Sequence, residues 1–491
     1  MTASALPARY PAAPGRVATA RASVPAARAD DSTRRILSGA LAVFVLVAVA
    51  RFHTALGAIG EALPLAKIAV ALLVLASWQA FGRADYRRLF ALPIARAFAV
   101  IVVLAVLSTP FGIHKGGSLS ALIGPFLPVV LLFVLGSLGM AGDTRTLRSS
   151  MIALTVGVGI GALVVIQGRH LFAGRAMLGG GLDPNDTAAL MVAAIPIALT
   201  LASERGIVSR IFFTTLALVA VGALVKTGSR GGMLGLAMMA FALVVVARGR
   251  QRLTYLAIIL VGGLVFSAAA QDQLRERFAT TFESDYNQTD EDGRVQIWNR
   301  GIGYMIDNPV LGVGFWNFTT AEGVLSSKAT DRNRRRGVKY TAAHNSFVQI
   351  GAELGVGGLL ALVTMITTAL AGCWRVARSR AGVYDPFTSR WARAGFVSLF
   401  GFTVSAFFLS LAYSMMLFIV FTLCTAVMMR ARREREAAAD GSSSAAPPAV
   451  PASAGWRSHR TLARAIARTA APAAPRRPRA VRAWRSAARG G

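Results

Sequence analysis

Long apolar stretches alternate with short charged connections along most of the chain. A run of about 17 to 25 apolar residues crosses about 30 Å of hydrocarbon as a helix. Twelve such runs occur, near 36–52, 59–81, 94–110, 119–140, 150–168, 186–203, 208–226, 232–247, 253–271, 345–373, 394–411 and 413–430. Glu61 and Lys67 interrupt the second, so its lower boundary is the loosest. A backbone in lipid must satisfy its own hydrogen bonds, so the pattern predicts an all-α polytopic membrane protein with about twelve transmembrane helices. The leading segment is rich in Ala, Pro and Arg and lacks the short apolar core and cleavage site of a signal peptide. The first span is therefore expected to act as its own signal anchor.

Composition agrees with the pattern. Of 491 residues, 54% are hydrophobic and 15% charged. The mean hydropathy is +0.54, which argues against a water-soluble enzyme of this size. Lys and Arg number 53 against 23 acids, for a net charge of +30, and only five of the 53 are Lys. An Arg- and Ala-rich bias often reflects a GC-rich genome, so position decides which arginines matter. No nucleic-acid partner is expected. Cys373 and Cys424 lie in or beside apolar runs, giving neither a disulfide framework nor a Cys-based metal site.

Orientation follows from the placement of cations in short loops. With the N-terminus inside, the short inner loops hold fifteen Lys or Arg and the short outer loops about six. Both tails are then cytoplasmic. The longest connection, 272–344, lies outside; its Trp298, Trp316, Tyr304, Phe315 and Phe318 predict an ordered subdomain, with short amphipathic helices near 272–283 and 294–307. The expected organisation is a disordered basic tail over 1–35, nine spans over 36–271, the outer subdomain over 272–344, three spans over 345–430 and a second basic tail over 431–491. Within that tail 437–491 has a composition that cannot bury a core. Arg457, Arg460, Arg464 and Arg468 are spaced to lie as a helix on anionic lipid, although a solvated tail accounts for them as well.

Four segments can carry chemistry. In TGSRGG (227–232), Ser229 is placed to cap the eighth span, whose N-terminal N–H groups favour an anion, and Arg230 adds a guanidinium fork. The structural alternative is an arginine reaching the interface, with Gly231, Gly232 and Gly235 allowing close helix packing. In DEDGRVQIWNRGIGYMIDNPVLGVGFWNF (290–318), Arg294 opens a helix with Val295, Trp298, Ile302 and Met305 on one side, ended by Asn308-Pro309. Pairing of Arg294 with Asp290 or Asp292 explains it as well as a ligand does. In HNSFVQIGAELGVGG (344–358), Asn345, Gln349 and Glu353 form a polar stripe that must face the interior or a wet cavity. His344 stands at its mouth, and Gly351 and Gly355 form a GxxxG for close helix approach. In LDPNDTAALM (182–191), Asp183 is placed to cap a helix beginning at Pro184, with Asp186 in its first turn, and capping explains both carboxylates about as well as substrate contact does. No dinucleotide loop, P-loop, HExxH or Cys/His zinc set is present.

Together TGSRGG, the GR…IW…DNPVLGVGFWNF loop and HNSFVQIGAELGVGG resemble the O-antigen ligase/polymerase superfamily of bacterial envelopes, most densely over about 225–360. The resemblance implies a glycosyltransferase-C-like helical fold in the bacterial inner membrane, with a large periplasmic loop. It implies transfer of a glycan from an undecaprenyl diphosphate carrier to a lipid A-core or similar acceptor in lipopolysaccharide or polysaccharide biosynthesis. Carried over by motif, the diphosphate-binding arginines are Arg230 and Arg294 and the loop histidine is His344, with Ser229, Asn345, Gln349 and Glu353 in support. A metal-independent, inverting displacement without cofactor is expected: two guanidiniums and a helix N-terminus stabilise the leaving diphosphate, and a neutral His takes the acceptor's proton. The partners would be the lipid-linked glycan, a lipid or glycan acceptor and membrane lipids. A polymerase on the same carrier is the alternative, a protein O-oligosaccharyltransferase a further relative, and a transporter the remaining class.

Overall fold

The computed structural model describes residues 31–50, 65–78, 80–172, 174–179, 182–204, 206–269, 293–326 and 341–444. The helix expected near 272–283, the arginine-spaced segment 457–468, most of both tails, and Asp290 and Asp292 lie outside the described residues. The chain divides into two units, Met1–Glu436 and Ala437–Gly491. The helix bundle belongs to the first; of the second, the described part is helical to Ser444.

Each of the twelve apolar runs falls on a helix. In chain order these are α1 (Asp31–Ala50), α2 (Leu65–Ser77), α4 (Pro93–Ser108), α5 (Lys115–Gly142), α6 (Thr144–Ile166), α7 (Pro184–Glu204), α8 (Ile207–Thr227), α9 (Arg230–Val246), α10 (Arg250–Ala269), α13 (Ser346–Ala377), α14 (Pro386–Ala406) and α15 (Met415–Ser444), with a short α3 (Arg83–Phe90) between α2 and α4. Among the described residues eight are long and apolar enough to cross a membrane: α1, α4, α5, α6, α7, α8, α13 and α15. The all-α polytopic class stands on these eight rather than on the twelve spans expected. Helices α2 and α9 are apolar but shorter, and α14 carries Arg390 and Arg393 in its first half.

Two boundaries differ from those expected. Residues 31–35, expected in the disordered tail, open α1, where Asp31 pairs with Arg35 one turn later at 2.7 Å. Residues 431–444, also assigned to a tail, continue α15, helped by the Arg432–Glu436 pair at 2.8 Å. Helix α5 contains two π-helical stretches, Leu122–Phe126 and Leu132–Gly136. Pro125 and Pro128 have no N–H to give the helical ladder, which accounts for the first.

Helix α7 sits at the centre, buried from Thr187 to Ala198 and packed against α6, α8, α9 and α14. Small residues permit this: a Cβ on Gly232 of α9 would strike Ala188 of α7, and one on Gly235 would strike Ser405 of α14.

The loop subdomain supplies α11 (Arg294–Asp307) and α12 (Phe318–Val324). Helix α11 forms where the sequence places it, and its buried residues are Ile297, Gly301 and Tyr304. Val295 and Ile302 are exposed because α11 packs on α13 and on the loop's own small core of Val313, Phe318, Ala321 and Ala343. Arg300 and Tyr304 both reach the buried Glu322, at 2.6 and 2.9 Å, and brace α11 against α12.

The loop is also joined to the bundle through a break in α13. Gly355 has φ 71° and ψ −169°, so the helical ladder stops there. Loop backbone takes up the freed groups: Val356 N donates to Pro309 O at 2.9 Å, and Val313 N donates to Ala352 O at 2.8 Å. A Cβ on Gly355 would strike Pro309 O, and one on Gly312, at φ 62°, would strike Ala352 O. The GxxxG reading of Gly351 and Gly355 is thus corrected: the close approach at Gly355 is made by loop backbone, and Gly351 meets Met305 of α11.

Candidate functional site

The four motif segments meet at one end of the bundle. Thr227 ends α8, Gly228 turns the chain in the left-handed region at φ 58°, and Ser229 caps α9 by accepting from Gly232 N at 3.1 Å. Arg230 is then the first helical residue and is exposed. Asp183 caps α7, its Oδ1 accepting from Asn185 N and Asp186 N at 2.7 Å each.

A hairpin that the sequence did not announce locks these caps together. Strands β1 (Leu171–Phe172) and β2 (Arg175–Ala176) pair antiparallel between α6 and α7. Arg175, by sequence only one of the outer-loop charges, donates through Nε to Thr227 O at 2.9 Å and through Nη2 to Asn185 Oδ1 at 2.7 Å. No motif marked Arg175, because its partners are a carbonyl and an amide from two other segments.

Arg294 opens α11 half-buried, within electrostatic range of Asp183 and Arg230. Burial lowers its affinity for a proton; Asp183 opposes that effect and Arg230 adds to it. His344 lies just ahead of α13, its N donating to Ser410 Oγ at 2.8 Å. Burial and then the Arg294 charge depress its pKa below the ordinary imidazole value, with Asp183 pulling the other way. The ring is thereby held neutral near pH 7, the form that accepts a proton.

Asp183 is the member that sequence reasoning left out of the site. Its capping role explained it without reference to residues more than 100 positions away. Among the described residues no three His, Cys, Asp or Glu side chains gather as metal ligands would.

The supporting residues are mostly occupied by the fold. Asn345 caps α13, accepting from Phe347 N and Val348 N at 2.9 and 3.1 Å. Gln349 Oε1 accepts from Ala412 N at 3.3 Å. Glu353 is buried and accepts from Phe318 N at 3.0 Å through Oε1, while Oε2, near Tyr413 and Gln349, makes no hydrogen bond among the described residues. The polar stripe therefore faces the interior, as its cost in lipid demands, and ties the loop to α13.

Two residues at this end are strained. Among the described residues the non-glycine positions with positive φ are His344 (48°) and Trp316 (62°). Such conformations persist only where surroundings enforce them, and they cluster at functional sites. Trp316 stacks on Tyr413 with centroids 5.7 Å apart. Trp316 and Tyr413 line a cavity of about 1160 Å³ whose wall also includes Leu182 and Asp186, on either side of Asp183. Its other walls are mainly apolar, contributed by α1, α2, α5 and the start of α15.

Residues 215–363 match the family model described as O-antigen ligase, and the match supports the O-antigen ligase/polymerase superfamily. It spans Arg230, Arg294, His344 and Glu353, and leaves Asp183 and Arg175 outside. None of the curated proteins compared matches the chain.

Proposed function

We propose that the protein is an O-antigen ligase-type membrane glycosyltransferase, moving a glycan from undecaprenyl diphosphate to a lipid A-core or similar acceptor at the periplasmic face of the bacterial inner membrane. The observation that carries this reading is the meeting of Arg230, Arg294 and His344, from three separate segments, beside an apolar cavity. In this reading the guanidiniums and the α9 N-terminus hold the diphosphate, and the cavity takes the start of the prenyl chain. A ring nitrogen of His344 accepts the proton of the acceptor hydroxyl as that oxygen bonds to the anomeric carbon. The bond from that carbon to the diphosphate breaks and its electron pair leaves on phosphate, inverting the anomeric centre.

The break in α13 does not favour a transporter, since its freed backbone groups are bonded to loop backbone rather than left to coordinate an ion. The decisive experiment incubates purified protein with lipid-linked glycan and candidate acceptors, with and without chelator, and follows transfer. Transfer to a lipid A-core acceptor that survives chelation supports the reading. Extension of carrier-linked repeat units alone would assign a polymerase, and strict dependence on a divalent ion would overturn the metal-independent mechanism.

A further inference from the structure

Helices α9 and α13 both begin at the candidate site, so their far ends mark the other end of the bundle, where α10 and α14 begin. There the two turns are clasped: Arg248 donates to Ser379 O at 3.0 Å and to Arg378 O, and Arg378 donates to Val245 O at 3.4 Å. Segments 248–252 and 375–393 contain eight arginines, at 248, 250, 252, 375, 378, 380, 390 and 393, and one acid, Asp385. That carboxylate is engaged in capping α14, accepting from Phe387 N at 3.0 Å. The nearby buried Glu204 is held by Arg148 and by Trp391 Nε1, each at 3.0 Å, and Arg390 approaches it only to 4.0 Å.

Two guanidiniums are left short of partners. Arg390 Nε is buried with no hydrogen bond among the described residues, Glu204 Oε1 lying 4.0 Å away. Arg393, half-buried, has Arg248, Arg390 and Tyr255 within electrostatic range, and among the described residues it has no hydrogen bond or ion pair. A partly desolvated cation facing other cations is unfavourable unless an anion sits among them.

One helical turn deeper on α14 the chemistry changes. Phe396 packs on Trp374 of α13 at 5.2 Å and on Phe400 at 6.0 Å, all three half-buried, and Arg378 lies over the Trp374 ring at 5.2 Å. Cations at the helix ends thus lead onto an aromatic wall made by Phe396 and Phe400 of α14 and Trp374 of α13, and α10 nearby exposes Leu253, Leu256 and Leu260. A free anion would use the cations and leave the wall bare.

We propose that Arg390 and Arg393, with the charge of the clasped Arg248 beside them, bind the phosphate headgroup of an anionic phospholipid whose acyl chain lies along Trp374, Phe396 and Phe400. This site is separate from the transfer site and does not depend on its chemistry. Basic pockets between membrane helices recognise anionic headgroups by such a combination of charge and apolar groove.

The test is a lipid titration of the detergent-purified full chain, followed by native mass spectrometry and thermal unfolding. Phosphatidylglycerol should remain bound as a one-to-one adduct and raise the melting temperature, whereas phosphatidylcholine and inorganic phosphate should do neither. Arg393→Gln, which removes no internal bond, should weaken phosphatidylglycerol binding about fivefold. Arg432→Gln, on an exposed part of α15, should leave it unchanged. Wild-type affinity in Arg393→Gln overturns the proposal, and so does equal stabilisation by phosphatidylcholine. Equal stabilisation by inorganic phosphate overturns the lipid assignment in favour of a free anion.

Discussion

The two ends of the helix bundle are both rich in arginine, and they use it differently. At the end away from the loop, guanidiniums are mostly committed to the fold: Arg148 to Glu204, Arg433 to Asp85 and Ala141 O, Arg430 to Ala141 O, Arg248 to Ser379 O. At the loop end, Arg294 has no hydrogen bond or ion pair among the described residues and shares its surroundings with Arg230, His344 and the acid Asp183. A guanidinium that has found its carbonyl or carboxylate is part of the structure. One kept partly buried without a partner is stored binding capacity, because the fold has already met its desolvation cost.

That contrast can be broken by mutation. His344→Ala should lower turnover by about 10²- to 10⁴-fold, the usual worth of a general base, while donor binding stays near wild type. Steady-state kinetics with lipid-linked donor read this directly. If affinity falls and turnover holds, His344 is a phosphate ligand and the division of labour is wrong. Arg294→Ala should cost about 10²- to 10³-fold in transfer, and Arg294→Lys should recover only part, since Lys keeps the charge without the bidentate fork. Near-wild-type transfer by Arg294→Ala and Arg230→Ala would remove the distinction between the two ends.

The pH profile sharpens the comparison at a finer level. With its pKa held below the ordinary imidazole value by burial and Arg294, His344 is neutral at pH 7. Turnover should be flat there and fall about tenfold per unit as pH drops below that depressed pKa. Asp183 raises the pKa of His344, so Asp183→Asn, which still caps α7, should move this limb to lower pH. An unmoved limb would dissociate Asp183 from the site. The smallest effect on transfer is expected at the far end. Glu204→Ala strands Arg148 and Trp391 and should lower the melting temperature clearly, yet leave turnover of the folded protein within about twofold. A large loss of turnover at unchanged stability would show that the ends are not independent.

Local pattern was enough for much of this protein. Apolar run length fixed the helices, since a backbone in lipid has few other solutions. Capping chemistry located the starts of α7 and α9 at Asp183 and Ser229, because an N-cap is a contact within three residues. The DNPVLGVGF and ELGVGG strings could be noticed but not explained from the chain alone. Only the fold shows that Gly312 and Gly355 are glycines because one backbone crosses another at the break in α13. Helical period likewise gave α11 an apolar side, while the neighbouring core decides which residues of the helix are covered. Arg175 and Asp183 join the site through partners far away in sequence, and that Arg294 and Arg393 have no hydrogen bond or ion pair among the described residues is a property of what is folded around them. Periodicity and capping are short-range physics and can be read along the chain. The meeting of charges, and the solvent they lose when they meet, exist only once the helices have packed.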